Sequence, residues 1–294
     1  MNLSPYLFFL LFFLFSCNSN QGNDDSQAKE VIVSDNSVEV EQLSLPWKKY
    51  SFVKTEVQQF PEHVEQSLVD YIALFPSYEK AHVEESLKEL IRKSEADEDF
   101  FSFLKDKFSF YLYHPNSPMR NDIYYGMVLK AYQDTKLISD GDKQRDQMLL
   151  LLINKNNVGD LASDFSFEDN SGKLKSMTSY VADLKLLLFY DPKCQHCKEM
   201  IAVLKESSVL NGLIDRKELV VLAIDPLGSL ASWKGYQEYI PDNWVNGFNK
   251  SETIIRLQLY NIQAYPTMYL LDRDNKVILK DVDLYSLENF LTKK

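Results

Sequence analysis

Hydrophobic residues recur at helical spacing through the first half of the chain. The clearest stripe consists of Val64, Leu68, Tyr71 and Phe75, and similar stripes follow as far as residue 153. Apolar residues spaced three and four apart lie on one face of an α-helix, which buries that face against its neighbours. The two prolines of His114–Pro118 interrupt the pattern with a loop. The pattern therefore predicts an all-α domain over residues 46–157, with the many aromatic residues in its core.

From Val158 onwards the pattern changes to short, largely apolar runs separated by turn residues. The runs that predict strands are Leu184–Tyr190, Leu219–Ile224, Thr267–Leu271 and Lys276–Leu279. One predicted helix begins at the cysteine pair, after residue 194. Two further helices are predicted at Ser251–Tyr260 and Leu284–Leu291. Strands that alternate with helices are typical of an α/β domain, in which helices flank a mixed sheet on both faces. We predict such a domain over residues 158–294, preceded by the smaller all-α domain.

The first residues have the pattern of an export signal. Residues 1–16 contain no charged side chain, and Leu7–Phe15 is an unbroken apolar run that is too short to span a bilayer. The sequence Leu-Phe-Ser-Cys that ends at Cys17 resembles the lipobox of bacterial lipoproteins, which implies that Cys17 is lipidated. An ordinary signal peptide followed by an incidental cysteine is the alternative. Residues 17–45 are polar and acidic, which predicts a disordered tether behind the anchor.

Composition narrows the classes of partner. The formal net charge of −11 argues against nucleic acid and against anionic membrane surfaces. We therefore expect membrane contact through the lipid anchor alone, in a protein of the cell envelope that faces the periplasm or lies on the outer-membrane surface. The chain has three cysteines, and with Cys17 assigned to the lipid only Cys194 and Cys197 remain. A structural disulfide would use up this pair, so we expect the pair to be reactive instead.

The cysteine pair lies where a predicted strand is followed by a predicted helix. Cys194, Gln195, His196 and Cys197 directly follow the predicted strand that ends at Tyr190. The free N–H groups and the positive end of the helix dipole favour a thiolate at Cys194. Two intervening residues let both sulfurs face each other across one turn. The spacing therefore predicts a pair that alternates between a dithiol and a disulfide.

The cysteine pair after an apolar strand, together with Tyr265-Pro266-Thr267 before a later strand, resembles the thioredoxin superfamily. More narrowly, residues 158–294 resemble exported, membrane-anchored thiol–disulfide reductases of bacteria. The N-terminal helical part, which contains the stretch Tyr111–Arg120, is similar to a helical domain of unknown function that precedes such domains in bacterial lipoproteins. The resemblance implies that Cys194 attacks a substrate disulfide and Cys197 resolves the intermediate. It also implies that Pro266 follows a cis peptide bond and that the Tyr265 backbone pairs with an incoming peptide.

Three positions depart from the thioredoxin pattern. Lys193 replaces the usual Trp, Gln195-His196 replaces Gly-Pro between the cysteines, and Leu188 replaces a buried Asp. Lys193 brings a cation towards the thiolate, while Asp191 is a candidate for the missing proton acceptor. His196 resembles the His of oxidising members of the superfamily. A partly protonated imidazole stabilises the reduced state, so we expect His196 to raise the reduction potential.

These residues favour a thiol–disulfide oxidoreductase, with reduction of protein disulfides in the cell envelope as the favoured reaction. A disulfide oxidase or isomerase, or a binding lipoprotein whose helical domain recognises a partner, are the alternatives. A structural zinc site needs about four ligands, and only Cys194, His196 and Cys197 lie together in the sequence. We therefore expect no metal and no cofactor, although residue types alone leave a copper-chaperone role open. The expected partners are protein disulfide or dithiol substrates and an unidentified redox partner.

Overall fold

The computed structural model describes residues 38–294. The predicted signal peptide (1–16), the lipidation site Cys17 and most of the predicted tether lie outside the described residues. The tether prediction is wrong at its C-terminal end. Residues 38–43 form a helix, α1, and the side chain of Leu43 is completely buried in the helical core. Residues 17–45 are polar on average, so their composition did not indicate that Leu43 belongs to the same buried cluster as Trp47.

The N-terminal part of the described chain is all-α, as predicted. Its further helices are α2 (Lys54–Gln59), α3 (Pro61–Leu74), α4 (Lys80–Ser94), α5 (Glu98–Tyr113), α6 (Asp122–Gln133) and α7 (Asp140–Ile153). Side chains that accept hydrogen bonds from the first free N–H groups begin three of these helices. Asp97 caps α5, Asn121 caps α6 and Ser139 caps α7.

The core of this domain consists of the stripes seen in the sequence. Val64, Leu68, Tyr71 and Phe75 are completely buried, and so are Phe100 and Phe108 of α5. Aromatic rings meet edge to face, as Tyr71 and Phe75 do with their ring centroids 4.9 Å apart. The buried hydroxyl of Tyr71 donates to Ser86 Oγ at 2.9 Å, so this polar group is satisfied inside the domain.

The C-terminal part is a seven-stranded mixed sheet with the strand order β2-β1-β5-β4-β3-β6-β7. The strands are β1 (Ser166–Asp169), β2 (Leu174–Ser176), β3 (Leu184–Phe189), β4 (Leu219–Asp225), β5 (Val245–Phe248), β6 (Thr267–Asp272) and β7 (Val277–Lys280). The three central strands β3, β4 and β5 are parallel, and the outer pairs are antiparallel. The helices are α8 (Gln195–Glu206), α9 (Ser208–Asp215), α10 (Leu230–Gly235), α11 (Thr253–Arg256) and α12 (Leu284–Leu291). The predicted α/β class is confirmed.

Strand β3 is an interior strand of this sheet, between β4 and β6, and is buried along its whole length. Successive side chains of a strand point to opposite faces. Leu186 and Leu188 pack in the cluster that contains α8, α9 and α12, whereas Leu187 and Phe189 pack in the cluster on the other face. A continuous apolar run is therefore what this position requires, since both faces of the sheet are covered.

The segment that follows β4 differs from the predictions. Strand β5 and helix α10 lie in a segment that shows no periodic pattern in the sequence. The predicted helix Ser251–Tyr260 is reduced to α11, because Glu252 and Gln258 have φ angles of 54° and 48°. These are left-handed conformations that a right-handed helix excludes.

A polar contact region, which we call the seam, joins the two domains. Lys280 Nζ donates to the carbonyl oxygens of Ile153 and Lys155 at the C-terminus of α7, where a cation is favoured. Arg120 of the helical domain forms an ion pair with Asp281. Burial lowers the pKa of Lys280 and raises the pKa of Asp281. The side chains of Arg120, Asp281 and Lys280 are only 10–21% exposed, so the seam is largely shielded from solvent. Among the described residues, no helix is long and apolar enough to cross a membrane.

Candidate active site

The cysteine pair lies at the carboxyl end of β3, where the chain turns into α8. The Asp191 side chain accepts the Lys193 N–H at 2.8 Å, and the Asp191 carbonyl accepts the Cys194 N–H at 3.0 Å. These bonds form the turn that stops the strand. Cys194 is the N-cap of α8, and Cys197 lies in its first turn.

The two sulfurs occupy different environments. Both cysteines are free thiols; Cys194 is half-buried and Cys197 is completely buried. The Cys197 N–H donates to Cys194 Sγ at 3.3 Å. The Cys194 thiol in turn lies 3.5 Å from the carbonyl oxygen of Tyr265. Only Cys194 is therefore open to a large substrate.

Burial raises the pKa of the Cys197 thiol well above its ordinary value, and the nearby Cys194 sulfur adds to the effect. A hydrogen bond from the Asp191 backbone acts in the opposite direction, whereas the negative charge of the Asp191 side chain raises this pKa further. Cys197 is therefore a protonated thiol at neutral pH until a base or a change of surroundings removes its proton. Asp191, which the sequence proposed as a proton acceptor, lies close enough for its charge to act on Cys197.

The second part of the predicted site is the segment before β6. The peptide bond between Tyr265 and Pro266 is cis, and both residues are half-buried. The Thr267 hydroxyl donates to the Ala264 carbonyl at 2.7 Å and closes a turn around this bond. The fold thus brings Tyr265 and Pro266 beside Cys194, although 71 positions separate Tyr265 from Cys194 in the sequence.

The remaining predicted residues lie on the exposed side of the pair. Lys193, Gln195 and His196 are all exposed. Gln195 Nε2 donates to Glu199 Oε1 at 3.1 Å, and His196 Nδ1 lies 3.8 Å from Glu199 Oε2. Glu199 is thus the partner of both inner residues of the motif.

Tyrosines that the sequence did not single out surround the buried side of the pair. Burial raises the pKa of Tyr236 to about 12, and the charges of the two cysteines contribute to the shift. The Tyr190 hydroxyl donates to Asn246 Oδ1 at 2.8 Å, and Trp233 Nε1 donates to the same oxygen at 3.0 Å. Tyr236, Asn246 and Trp233 come from the segment without periodicity, so no sequence signal distinguished them.

A second carboxylate lies near the motif, at the end of β4. Asp225 is 1% exposed, and its Oδ1 accepts the N–H groups of Leu227 and Gly228 at 3.2 and 2.6 Å. Burial raises its pKa. A Cβ at Gly228 would lie 2.0 Å from Asp225 Oδ2, so this loop requires glycine. With Asp191, Lys193 and Tyr265, Asp225 lines a cavity of 210 Å³ beside the cysteine pair.

The helical domain contains no predicted site residue. A larger cavity of 640 Å³, lined by Trp47, His82 and neighbouring residues, lies entirely within it. Among residues 38–294, no group of three or more His, Cys, Asp or Glu side chains could hold a metal ion.

Comparison with known proteins identified relatives of both domains. A family model described as a domain of unknown function (DUF5106) matches residues 46–156. The crystal structure of a thioredoxin-like protein from Bacteroides caccae is 30% identical, with a TM-score of 0.82, and the match covers 95% of this chain and 99% of that chain. The C-terminal domain of an uncharacterized protein from Bacteroides fragilis is 37% identical with a TM-score of 0.46, over 47% of this chain and 98% of that chain. The search of curated proteins found no match.

Proposed function

This chain belongs to the thioredoxin-like family, and on that premise we propose that it is a thiol–disulfide oxidoreductase whose redox pair is Cys194 and Cys197. One observation carries the proposal. A half-exposed sulfur caps a helix, lies 3.5 Å from the carbonyl oxygen of Tyr265, and accepts a hydrogen bond from Cys197, whose own thiol is completely buried. This is the asymmetry that an attacking and a resolving cysteine need.

The reaction follows from the two environments. The Cys194 thiolate attacks one sulfur of a substrate disulfide, forms a mixed disulfide and releases the other substrate sulfur as a thiolate that takes up a proton. Cys197 then loses its proton and attacks Cys194 Sγ. The Cys194–Cys197 disulfide forms, the second substrate sulfur leaves as a thiolate and is protonated, and two electrons have passed to the substrate. An external dithiol must return two electrons before the next cycle.

Cys197 must lose its proton before it can resolve the mixed disulfide, and burial opposes the thiolate form. Two carboxylates lie near the pair: Asp191 follows the end of β3, and Asp225 ends β4. Asp191 already acts on Cys197 through its charge and its backbone N–H. We therefore assign Asp191 as the group that influences resolution, while the sequence position of the thioredoxin acid is occupied by the buried Leu188.

We propose the reducing direction, with protein disulfides of the cell envelope as substrates. The resemblance to exported reductases supports this direction, and the reduction potential of the pair tests it. A potential near −270 mV, the value typical of thioredoxin, agrees with a reductase, whereas a potential near −120 mV is typical of an oxidase (both approximate).

The assignment of the two cysteines is tested with the full chain and a peptide that contains one disulfide. The Cys197→Ser variant should accumulate a mixed disulfide with the peptide, because the resolving thiol is missing. The Cys194→Ser variant should accumulate none and should reduce no peptide. Mass spectrometry of the quenched reactions distinguishes the two. A mixed disulfide at Cys197 instead of Cys194 would contradict the assignment.

We further propose that lipidated Cys17 anchors the protein in the cell envelope. The apolar run Leu7–Phe15 and the cysteine that follows Ser16 support this proposal. Cys17→Ala should move the protein from the membrane fraction to the soluble fraction, or leave it unprocessed. Unchanged fractionation together with an unmodified N-terminal cysteine in mass spectrometry would contradict the anchor.

A further inference from the structure

The segment that leads into the cis peptide bond is held by the helical domain. Residues 257–261 connect α11 to the turn that contains Tyr265. Lys155 Nζ donates to the carbonyl of Gln258 at 2.8 Å and lies 3.4 Å from the carbonyl of Leu257. Asn156 Nδ2 donates to the carbonyl of Leu259 at 2.8 Å. The residues that follow α7 therefore bind three successive carbonyl groups of this segment.

The last residue of the segment, Asn261, is clamped from both sides of its amide. Its Nδ2 donates to Asp122 Oδ2 at 3.0 Å, and its Oδ1 lies 3.4 Å from the Tyr113 hydroxyl. Asn261 is 1% exposed. Tyr113 stacks on Tyr125 with ring centroids 4.8 Å apart, and Lys280 lies 3.6 Å from Asp122. Both arms of the clamp are thus fixed by their own neighbours.

This arrangement explains the stretch Tyr111–Arg120, which the reaction does not use. The stretch begins at the end of α5 and returns to the start of α6, where the Asn121 N–H donates to the Leu112 carbonyl at 2.9 Å. It brings Tyr113 and Asp122 to the same place from different helices. Arg120, at its end, pairs with Asp281 across the seam.

We infer that the helical domain is a working part of the redox site, in which Tyr113 and Asp122 position the Tyr265 backbone through Asn261. The inference rests on the proposed function. Three residues separate Asn261 from Tyr265, so a fixed Asn261 restricts where the Tyr265 carbonyl and N–H groups lie. A peptide that pairs with those groups needs them in place before Cys194 reacts. Tyr113 and Asp122 are positioning residues, since neither touches the sulfurs.

The test separates positioning from stability by using two reagents on the full chain. Asp122→Ala should lower kcat/KM for a peptide disulfide by about tenfold, mainly through a higher KM, because small misplacements of bound groups are costly. Alkylation of Cys194 by iodoacetamide should stay within about twofold of the parent rate, since a small reagent needs no backbone pairing. Asp122→Asn keeps an acceptor for Asn261 Nδ2 and should restore most of the peptide rate. Tyr113→Phe is a milder variant and should have a smaller effect in the same direction.

Glu65→Ala is the matched control. Glu65 accepts hydrogen bonds from Lys107 at 2.6 Å and Tyr111 at 2.7 Å, and both partners belong to the helical domain. This variant should lower the melting temperature while its peptide kcat/KM stays at the parent value. Equal losses of peptide and iodoacetamide rates in Asp122→Ala, or a lower melting temperature with an unchanged peptide rate, would overturn the inference. If the parent chain exchanges no peptide disulfide at all, the proposed function fails and the inference fails with it.

Discussion

The two domains bury different kinds of polar group. The polar side chains inside the helical domain are mostly hydroxyl groups, namely Ser67, Ser86, Ser94 and Thr135. The sheet domain buries two such hydroxyl residues, Ser207 and Thr267, but it also buries charges and amides, namely Lys185, Asp225, Asn246, Asn249 and Asn261. The hydroxyl groups form short bonds within their own domain, as Ser94 does with the Ile91 carbonyl at 2.7 Å. The amides bind groups distant in the sequence, as Asn249 does with the Ser166 carbonyl of β1 at 2.7 Å.

This difference follows from how helices and sheet ends satisfy their backbone hydrogen-bonding groups. A helix satisfies its own backbone groups, so a helical core needs few polar side chains. The loops at the ends of a sheet have free backbone groups, and buried amides and charges hold them in place. In this chain those loops carry Cys194 and Tyr265. Substitutions in the helical core, away from Tyr113 and Asp122 at the domain contact, should therefore change stability alone, whereas substitutions among the buried charges of the sheet domain should also change pH dependence.

The largest effect is expected from Phe108→Ala in the helical core. Phe108 is completely buried, so its truncation leaves a cavity and should lower the free energy of unfolding by about 3–5 kcal/mol. At a temperature where the variant is folded, its rate of peptide reduction should equal the parent rate. Phe110→Ala is the control in the same helix; this side chain is 51% exposed, and its loss should cost under about 1 kcal/mol. A slower reaction in the folded Phe108→Ala protein would contradict the view that the helical core contributes packing alone.

The second effect concerns Lys185, whose ammonium donates to the Met177 carbonyl at 2.9 Å inside the sheet domain. Burial lowers the pKa of Lys185 to about 8, below its ordinary value. The pKa of a lysine in the unfolded chain is about 10.4. Between about pH 8 and that pKa, the unfolded chain holds a proton on Lys185 that the folded chain has lost, so the free energy of unfolding rises with pH. The stability of the parent relative to Lys185→Met should therefore increase by up to about 3 kcal/mol between pH 7 and pH 10.5. Denaturant unfolding of both proteins at each pH measures this difference, and a constant difference would contradict the lowered pKa.

A pair of glycine substitutions compares how the two domains tolerate an added methyl group. A Cβ at Gly247 in β5 would lie 2.4 Å from Phe167 Cδ2 and 2.6 Å from Ile224 Cδ1. Gly247→Ala should therefore destabilise the protein by about 1–3 kcal/mol. A Cβ at Gly126 in α6 would make ordinary contacts of 3.4 and 3.5 Å with Leu150 and Ile153. Gly126→Ala should stabilise the protein by up to about 1 kcal/mol, since alanine is the better helix former. Thermal melts that show the opposite signs would contradict this comparison.

The smallest effect is expected from His196→Pro, because His196 lies on the surface and its replacement changes no core contact. His196 is the second residue of α8, where proline is tolerated, and its side chain is 68% exposed. Removal of a ring that can carry positive charge beside the redox pair should lower the reduction potential by on the order of 10–30 mV. Equilibration against a glutathione buffer measures the potential. Glu199→Gln is the control, because it removes the carboxylate that faces His196 and should shift the potential in the opposite direction. An unchanged potential in both variants would leave His196 as an ordinary surface residue.

Local patterns determined much of this protein. The helical stripes and the α/β class were predicted from residues that are neighbours in the sequence, and the family was predicted from two short motifs; the structure and the comparisons confirm all three. The apolar run Leu184–Tyr190 matches β3 closely, because a strand covered on both faces must be apolar throughout. The placement of Cys194 at the start of a helix follows from the same local pattern. These features depend on a few consecutive residues, so a single stretch of sequence specifies them.

The tertiary structure alone decided what surrounds the pair. Asn261 meets Asp122 across 139 positions of sequence, and Lys280 meets Asn157 across 123. Strand β5 has no pattern of its own, and its pairing with β1 and β4 places Asn246 under Tyr190. Contacts of this kind depend on how distant segments pack, and no periodicity along the chain records which polar side chain will meet which loop. The sequence by itself therefore determined where the chemistry lies, and only the packing of the two domains decided which residues hold it in place.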